Sequence, residues 1–140
     1  MKKNENGRSM IEMLGVLAII GVLSAVGIYG YTVAMFRHQM NEVVHVASSL
    51  ALMSRSANVG TGKTLTLASA GLPSKIGGLN LDMLACPESG ENDLVEVHIQ
   101  FIGATQKEVN KYSDFISNIS ASDSGISYSC GNGELSCGDE

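Results

Sequence analysis

Few residues in this 140-residue chain are equipped for chemistry, and their spacing narrows what that chemistry can be. Glu12 is the only charged side chain between Met10 and Met35, in an otherwise apolar run. His38, Glu42 and His45 stand four and three residues apart, so on a helix they share a face and offer donors that zinc accepts. No second ligand cluster accompanies them, and a polar outer surface is the expected role. Asn58-Val59-Gly60-Thr61-Gly62-Lys63-Thr64, with Ala57 where a first glycine would stand, is a loosened phosphate-loop pattern. That loop works only between a strand and a helix start, where amides converge on phosphate. Here a helical pattern leads in and Leu65-Thr66-Leu67 alternates like a strand, so a glycine-rich connection is expected. Three cysteines, Cys86, Cys130 and Cys137, leave at least one thiol unpaired in a monomer. Cys130 with Cys137 would close a short loop, whereas Cys86 with either would tie the middle of the chain to its end. Their spacing lacks the paired pattern of a zinc site. Asn118-Ile119-Ser120 fits a glycosylation acceptor, a triplet frequent by chance. No serine, histidine or acid lies in a nucleophile turn, so no enzyme, cofactor or metal site is expected.

The element that positions Glu12 is the apolar run itself. Its 26 residues, Met10 to Met35, would rise about 39 Å as a helix, enough to cross a hydrocarbon core of about 30 Å. A carboxylate at the middle of such a span costs on the order of 2.5–3.5 kcal/mol, less near the interface. Glu12 therefore either marks the water boundary or has a partner there. Lys2, Lys3 and Arg8 against Glu5 give +2 before the span, while residues 36–140 carry six basic and twelve acidic residues, −6. That asymmetry favours an inward amino terminus and an exported remainder. A cleaved signal peptide would have a shorter apolar region and no early glutamate; a single-pass anchor needs only the span. The acidic balance argues against direct nucleic-acid binding.

The stretch from Gly7 through Arg8, Ser9, Met10, Ile11 and Glu12 into the apolar run resembles the amino-terminal signature of the type IV pilin superfamily, comprising type IV pilins and pseudopilins. Its members carry a short basic leader ending in glycine, a cut directly after it, a glutamate at the fifth mature position and an apolar helix. The resemblance makes Gly7 the cleavage glycine, Arg8 the new amino terminus and Glu12 the assembly glutamate. Arg8 departs from the apolar residue usual after the cut, and the span has no proline where many relatives have one. The match in detail covers about the first quarter of the chain. It implies an α+β fold in which one long helix lies on a small, mainly antiparallel sheet. The implied partners are other copies and other pilins in a filament, a prepilin peptidase, an assembly ATPase and platform, and the inner membrane. The implied locations are the bacterial inner membrane before assembly and an extracellular pilus or periplasmic pseudopilus after it. The resemblance also favours a structural disulfide that includes Cys130 or Cys137, with one thiol left free.

Within the span, Gly15, Ala18, Gly21, Ser24, Gly27 and Gly30 recur at every third position. Three residues advance a helix roughly 300°, so the small sites spiral around it. Small residues let apolar helices approach closely, and a spiral of them suits several neighbours better than a single seam. After the span, Phe36, Met40, Val43, Val44, Ala47, Leu50 and Ala51 recur at helical spacing, predicting an amphipathic continuation to about Ser56. The expected organisation is a leader over 1–7, a transmembrane assembly helix over 8–35, its amphipathic continuation over 36–58 and a globular head over 59–140.

In the head, Leu94 to Phe101 alternates apolar residues with Glu96, His98 and Gln100, predicting a half-buried strand with His98 outward. Thr105-Gln106-Lys107-Glu108 reads as a capping box opening a helix whose apolar face is Val109, Tyr112, Phe115, Ile116 and Ile119. Ile126 to Cys130 and Glu134 to Cys137 read as a hairpin around Gly131-Asn132-Gly133. This order of strand, capped helix and cysteine-bearing strand resembles the type IVb branch more than type IVa.

Overall fold

The structure, a computed structural model, describes residues 5–57, 64–87, 94–120 and 125–137. Helix α1 covers Glu5–Ala57, followed by β1 (Leu65–Thr66), α2 (Leu67–Ala70), β2 (Lys75–Ile76), β3 (Leu79–Pro87), β4 (Val95–Phe101), α3 (Gln106–Ser120) and β5 (Ile126–Gly131). The class is α+β, a long amino-terminal helix on a small, mainly antiparallel sheet. The chain divides into two compact units, residues 1–38 and residues 39–140.

In the second unit, α1 buries Met40, Val43, Val44, Ala47, Leu50, Ala51 and Ser54, the i, i+3, i+4, i+7 stripe that a core-facing helix needs. The facing stripe comes from alternate strand residues: Leu81, Met83 and Ala85 of β3 and Val95, Val97, Ile99 and Phe101 of β4 are all enclosed. Each large side chain removed from water in this way contributes about 1.5–3 kcal/mol before entropy is counted. Polar ties fix α1 on the sheet. Gln39 Nε2 donates to Gly77 O at 2.6 Å, and Arg55 Nη2 donates to Gly125 O at 2.8 Å.

Strand order is β1-β3-β4-β5, with β2 pairing β3 off that path. β3 is antiparallel to β1, β2 and β4. The β2–β3 connection is Gly77-Gly78, both at positive φ (57° and 85°), which a two-residue hairpin of this hand requires. At Gly77 a Cβ would also meet Gln39 Cγ at 2.6 Å. α3 begins as the capping box predicts: Thr105 N–H donates to Glu108 Oε2 at 2.9 Å, and Glu108 N–H donates to Thr105 Oγ1 at 3.4 Å. Those bonds from Thr105, backbone first and hydroxyl second, hold the Glu108 carboxyl below its ordinary range. α3 buries Val109 and Ile116, and its Tyr112 ring lies 4.7 Å from that of Phe101. Partial burial, aided by the Glu108 charge, raises the Tyr112 hydroxyl above its ordinary value.

Two local expectations are corrected. β5 runs parallel to β4, with Val95 opposite Ile126 and Ile99 opposite Cys130, and residues 134–137 form no strand. The hairpin around Gly131-Asn132-Gly133 is therefore absent. Its physical reason is the position of Cys86 on β3, beyond β4 from β5: the Cys86–Cys137 bond draws the tail across the sheet. The strand-like Leu65-Thr66-Leu67 ends after Thr66, whose hydroxyl caps α2 by accepting from Ser69 N–H at 3.3 Å. β3, which pairs with β1, β2 and β4, lies outside the expectations drawn from the sequence. Its signal was the alternation of Leu81, Met83 and Ala85 with Asn80 and Asp82 after a Gly-Gly turn.

Candidate functional site

The surface in this chain that most needs an explanation is the first unit's helix. From Met10 to Tyr31, α1 exposes Ile11, Leu14, Leu17, Ile20, Leu23 and Ile28 between 53% and 71%, and no part of its most apolar 18-residue window is buried. A helix that is apolar on every side is one that membrane or other apolar helices surround. The described residues contain one helix long and apolar enough to cross a membrane. Ser24 Oγ donates to Ile20 O and Thr32 Oγ1 to Tyr29 O, each at 2.8 Å. The helical backbone and these two hydroxyls can therefore enter a low-dielectric medium without losing a partner.

Glu12 lies on this surface near its start, exposed, with Arg8 and Ser9 in the turn before it and apolar residues in the turns after it. Gly15, Gly21, Gly27 and Gly30 have open space where a Cβ would stand, as notches along the same surface. Ala18 and Ser24 are exposed between them. Gly7 and Arg8 fall in the first helical turns, and residues 1–4 lie outside the described residues.

The remaining chemistry-bearing residues fall elsewhere. Ala57 ends α1 and Leu65–Thr66 is a strand, so the segment between them is entered from a helix and leads to a strand, opposite to a phosphate loop. Residues 58–63 themselves lie outside the described residues. Glu42 and His45 border an open cleft of about 330 Å³ with Lys75 and Ile76. Among the described residues no group of three His, Cys, Asp or Glu side chains is arranged to hold a metal ion. His98 is half-buried on the outer side of β4, with Nε2 3.7 Å from Glu96 Oε2. Asn118 and Ile119 sit in the last turns of α3.

Of the three thiols, the structure joins Cys86 and Cys137, Cα atoms 5.7 Å apart, and leaves Cys130 free. Strand parity rules out the Cys86–Cys130 pair. Cys86 stands opposite Glu96, whereas Cys130 stands opposite Ile99, an odd number of residues further along β4. Successive strand residues point to opposite faces, so Cys86 and Cys130 are on different sides of the sheet. Burial pushes the Cys130 thiol up to about 11. No protein-family model, curated protein or solved structure matches this chain.

Proposed function

We propose that the chain is a structural subunit of a type IV pilus or related pseudopilus, inserted in the bacterial inner membrane, cut after Gly7 and polymerised through residues 8–35. The observation that carries the reading is the first unit's apolar helix: exposed on all sides, notched by small residues at every third position and bearing a lone glutamate near its start. Lipid would satisfy the apolar surface of one copy, and neighbouring copies would satisfy it after assembly.

In this reading Glu12 sets subunit height. Cleavage creates an α-amine on Arg8, a cation four residues before Glu12. The Glu12 carboxylate of one copy pairs with the Arg8 amine of the next, which offsets the desolvation of both charges in an apolar core and disfavours subunits docked out of register. The Arg8 guanidinium, where relatives carry an apolar residue, supplies a second positive partner. The prepilin peptidase, assembly ATPase and platform follow from the family resemblance. An anchored exported binding protein that never polymerises would need the span but neither the lone carboxylate nor the spiral of small residues.

The processing step gives the direct test of this class. Mass measurement of the membrane-extracted chain is expected to find a mature form beginning at Arg8, and replacing Gly7 with a bulky residue is expected to leave the full-length chain. Normal removal of the leader from that variant would contradict the assignment of Gly7.

A further inference from the structure

Cys86, Glu96, His98 and Ser129 share the outer face of the sheet, opposite the face on which Leu81, Met83, Val97 and Ile99 enter the core. The tail after β5 returns over that outer face to reach Cys86. His98 and Ser129 of the sheet and Gly133, Glu134, Leu135 and Ser136 of the tail, with Ile99, Cys130 and Gly131, border an open cleft of about 350 Å³. His98 Nε2 is shut off from solvent there and makes no hydrogen bond.

What holds the tail in place is unusual for a covering segment. Residues 132–136 pair with no strand and, among the described residues, make no hydrogen bond. Asn132, Gly133, Glu134 and Ser136 are exposed, and none of the tail's side chains belongs to the head core. The Cys86–Cys137 bond is its anchor. By contrast, β3 and β4 pair along seven residues from Leu81 to Pro87, and among the described residues every buried side chain of the head lies at or before Ile116.

We propose that residues 132–137 are a redox-released strap whose disulfide holds it over the His98 side of the sheet. Thiol–disulfide exchange with a dithiol reductant breaks the Cys86–Cys137 bond, leaves a thiol on each cysteine and converts the reductant to its own disulfide. The strap then leaves the sheet, the head keeps its fold, and the Glu96, His98 and Ser129 face becomes accessible. The oxidised, exported chain thus differs from the reduced chain at one surface.

The test uses the full chain in detergent micelles, carrying Cys130→Ser so that the third thiol cannot exchange. Diethyl pyrocarbonate labelling of His98, scaled to the exposed His38 and His45, is expected to rise several-fold on adding dithiothreitol. Cleavage after Glu134 by a glutamate-specific protease should accelerate, while the amides of Val97 and Ile99 keep their exchange protection. The Cys86→Ser/Cys137→Ser variant should reproduce the reduced pattern without reductant. Unchanged His98 labelling, in reduced protein or in the variant, would overturn the proposal by showing a strap docked without its bond. Loss of β4 protection on reduction would overturn it too, making the bond a staple of the whole head.

Discussion

Leu50 and Leu17 are the same side chain in the same helix, yet Leu50 is fully enclosed and Leu17 is 63% exposed. The difference lies in what surrounds each on the sequence. Around Leu50 the buried positions Met40, Val43, Val44, Ala47 and Ala51 form one stripe that the sheet of the second unit completes, with Ser48, Ser49 and the exposed Leu52 and Met53 outside it. Around Leu17 the apolar positions go all the way round, so no single folded face could cover them. The buried core of the fold lies within residues 39–140, whereas the first unit presents an exposed apolar surface. The stability of the head should therefore respond strongly to truncation in one region and hardly at all to truncation in the other.

Truncating the enclosed Phe101 to alanine removes its contact with Tyr112 and leaves a cavity, a change that costs about 3–5 kcal/mol in comparable cores. Leu17→Ala touches no core and should alter head stability by less than about 0.5 kcal/mol. Denaturant melting of the head in micelles, read by amide exchange of β4, makes the comparison; equal losses would erase the distinction between the regions. A smaller effect is expected at the start of α3, where Thr105→Ala removes a cap worth about 1 kcal/mol.

The pH dependence sharpens the same point, because Glu108 and Cys130, whose acidities the fold shifts in opposite directions, both lie in the head. Glu108 is held below its ordinary value of 4.5 by Thr105, so its contribution is present above that value and is lost as pH falls through its lowered folded value. Glu108→Gln should flatten the acid limb of the head's stability curve. The Cys130 thiol is instead raised from 9.0 to about 11, so the unfolded chain ionises first and stability declines as pH rises between those values. Iodoacetamide should label Cys130 much more slowly in the native chain than in denatured chain at pH 9. Equal rates would show that the fold does not shield the thiol.

The parts of this architecture legible in the sequence were those set by near neighbours. The stripe from Met40 to Ala51, the alternation from Val95 to Phe101 and the Thr105–Glu108 box each depend on residues within a turn or two, and each forms as its pattern requires. The pairing of β5 was not legible, because Gly131-Asn132-Gly133 would accept a hairpin but the bond to Cys86 takes the following residues elsewhere. The disulfide partner was equally hidden. It depends on which face of the sheet each cysteine occupies, and that parity exists only once β3, β4 and β5 are in register. For the helix surface, composition alone revealed Glu12 and the small residues; their exposure on every side is what the structure adds.

The most direct test of the central claim, that residues 8–35 are an assembly surface registered by Glu12, is the yield of sheared surface filaments from cells expressing only Glu12→Gln. Glutamine keeps the size and removes the charge, and breaking one side of an enclosed charge pair costs about 2–5 kcal/mol. Filament yield should therefore fall by more than about tenfold, at 1.4 kcal/mol per factor of ten, while membrane insertion and leader removal stay normal. Filaments at the unaltered level would contradict the account.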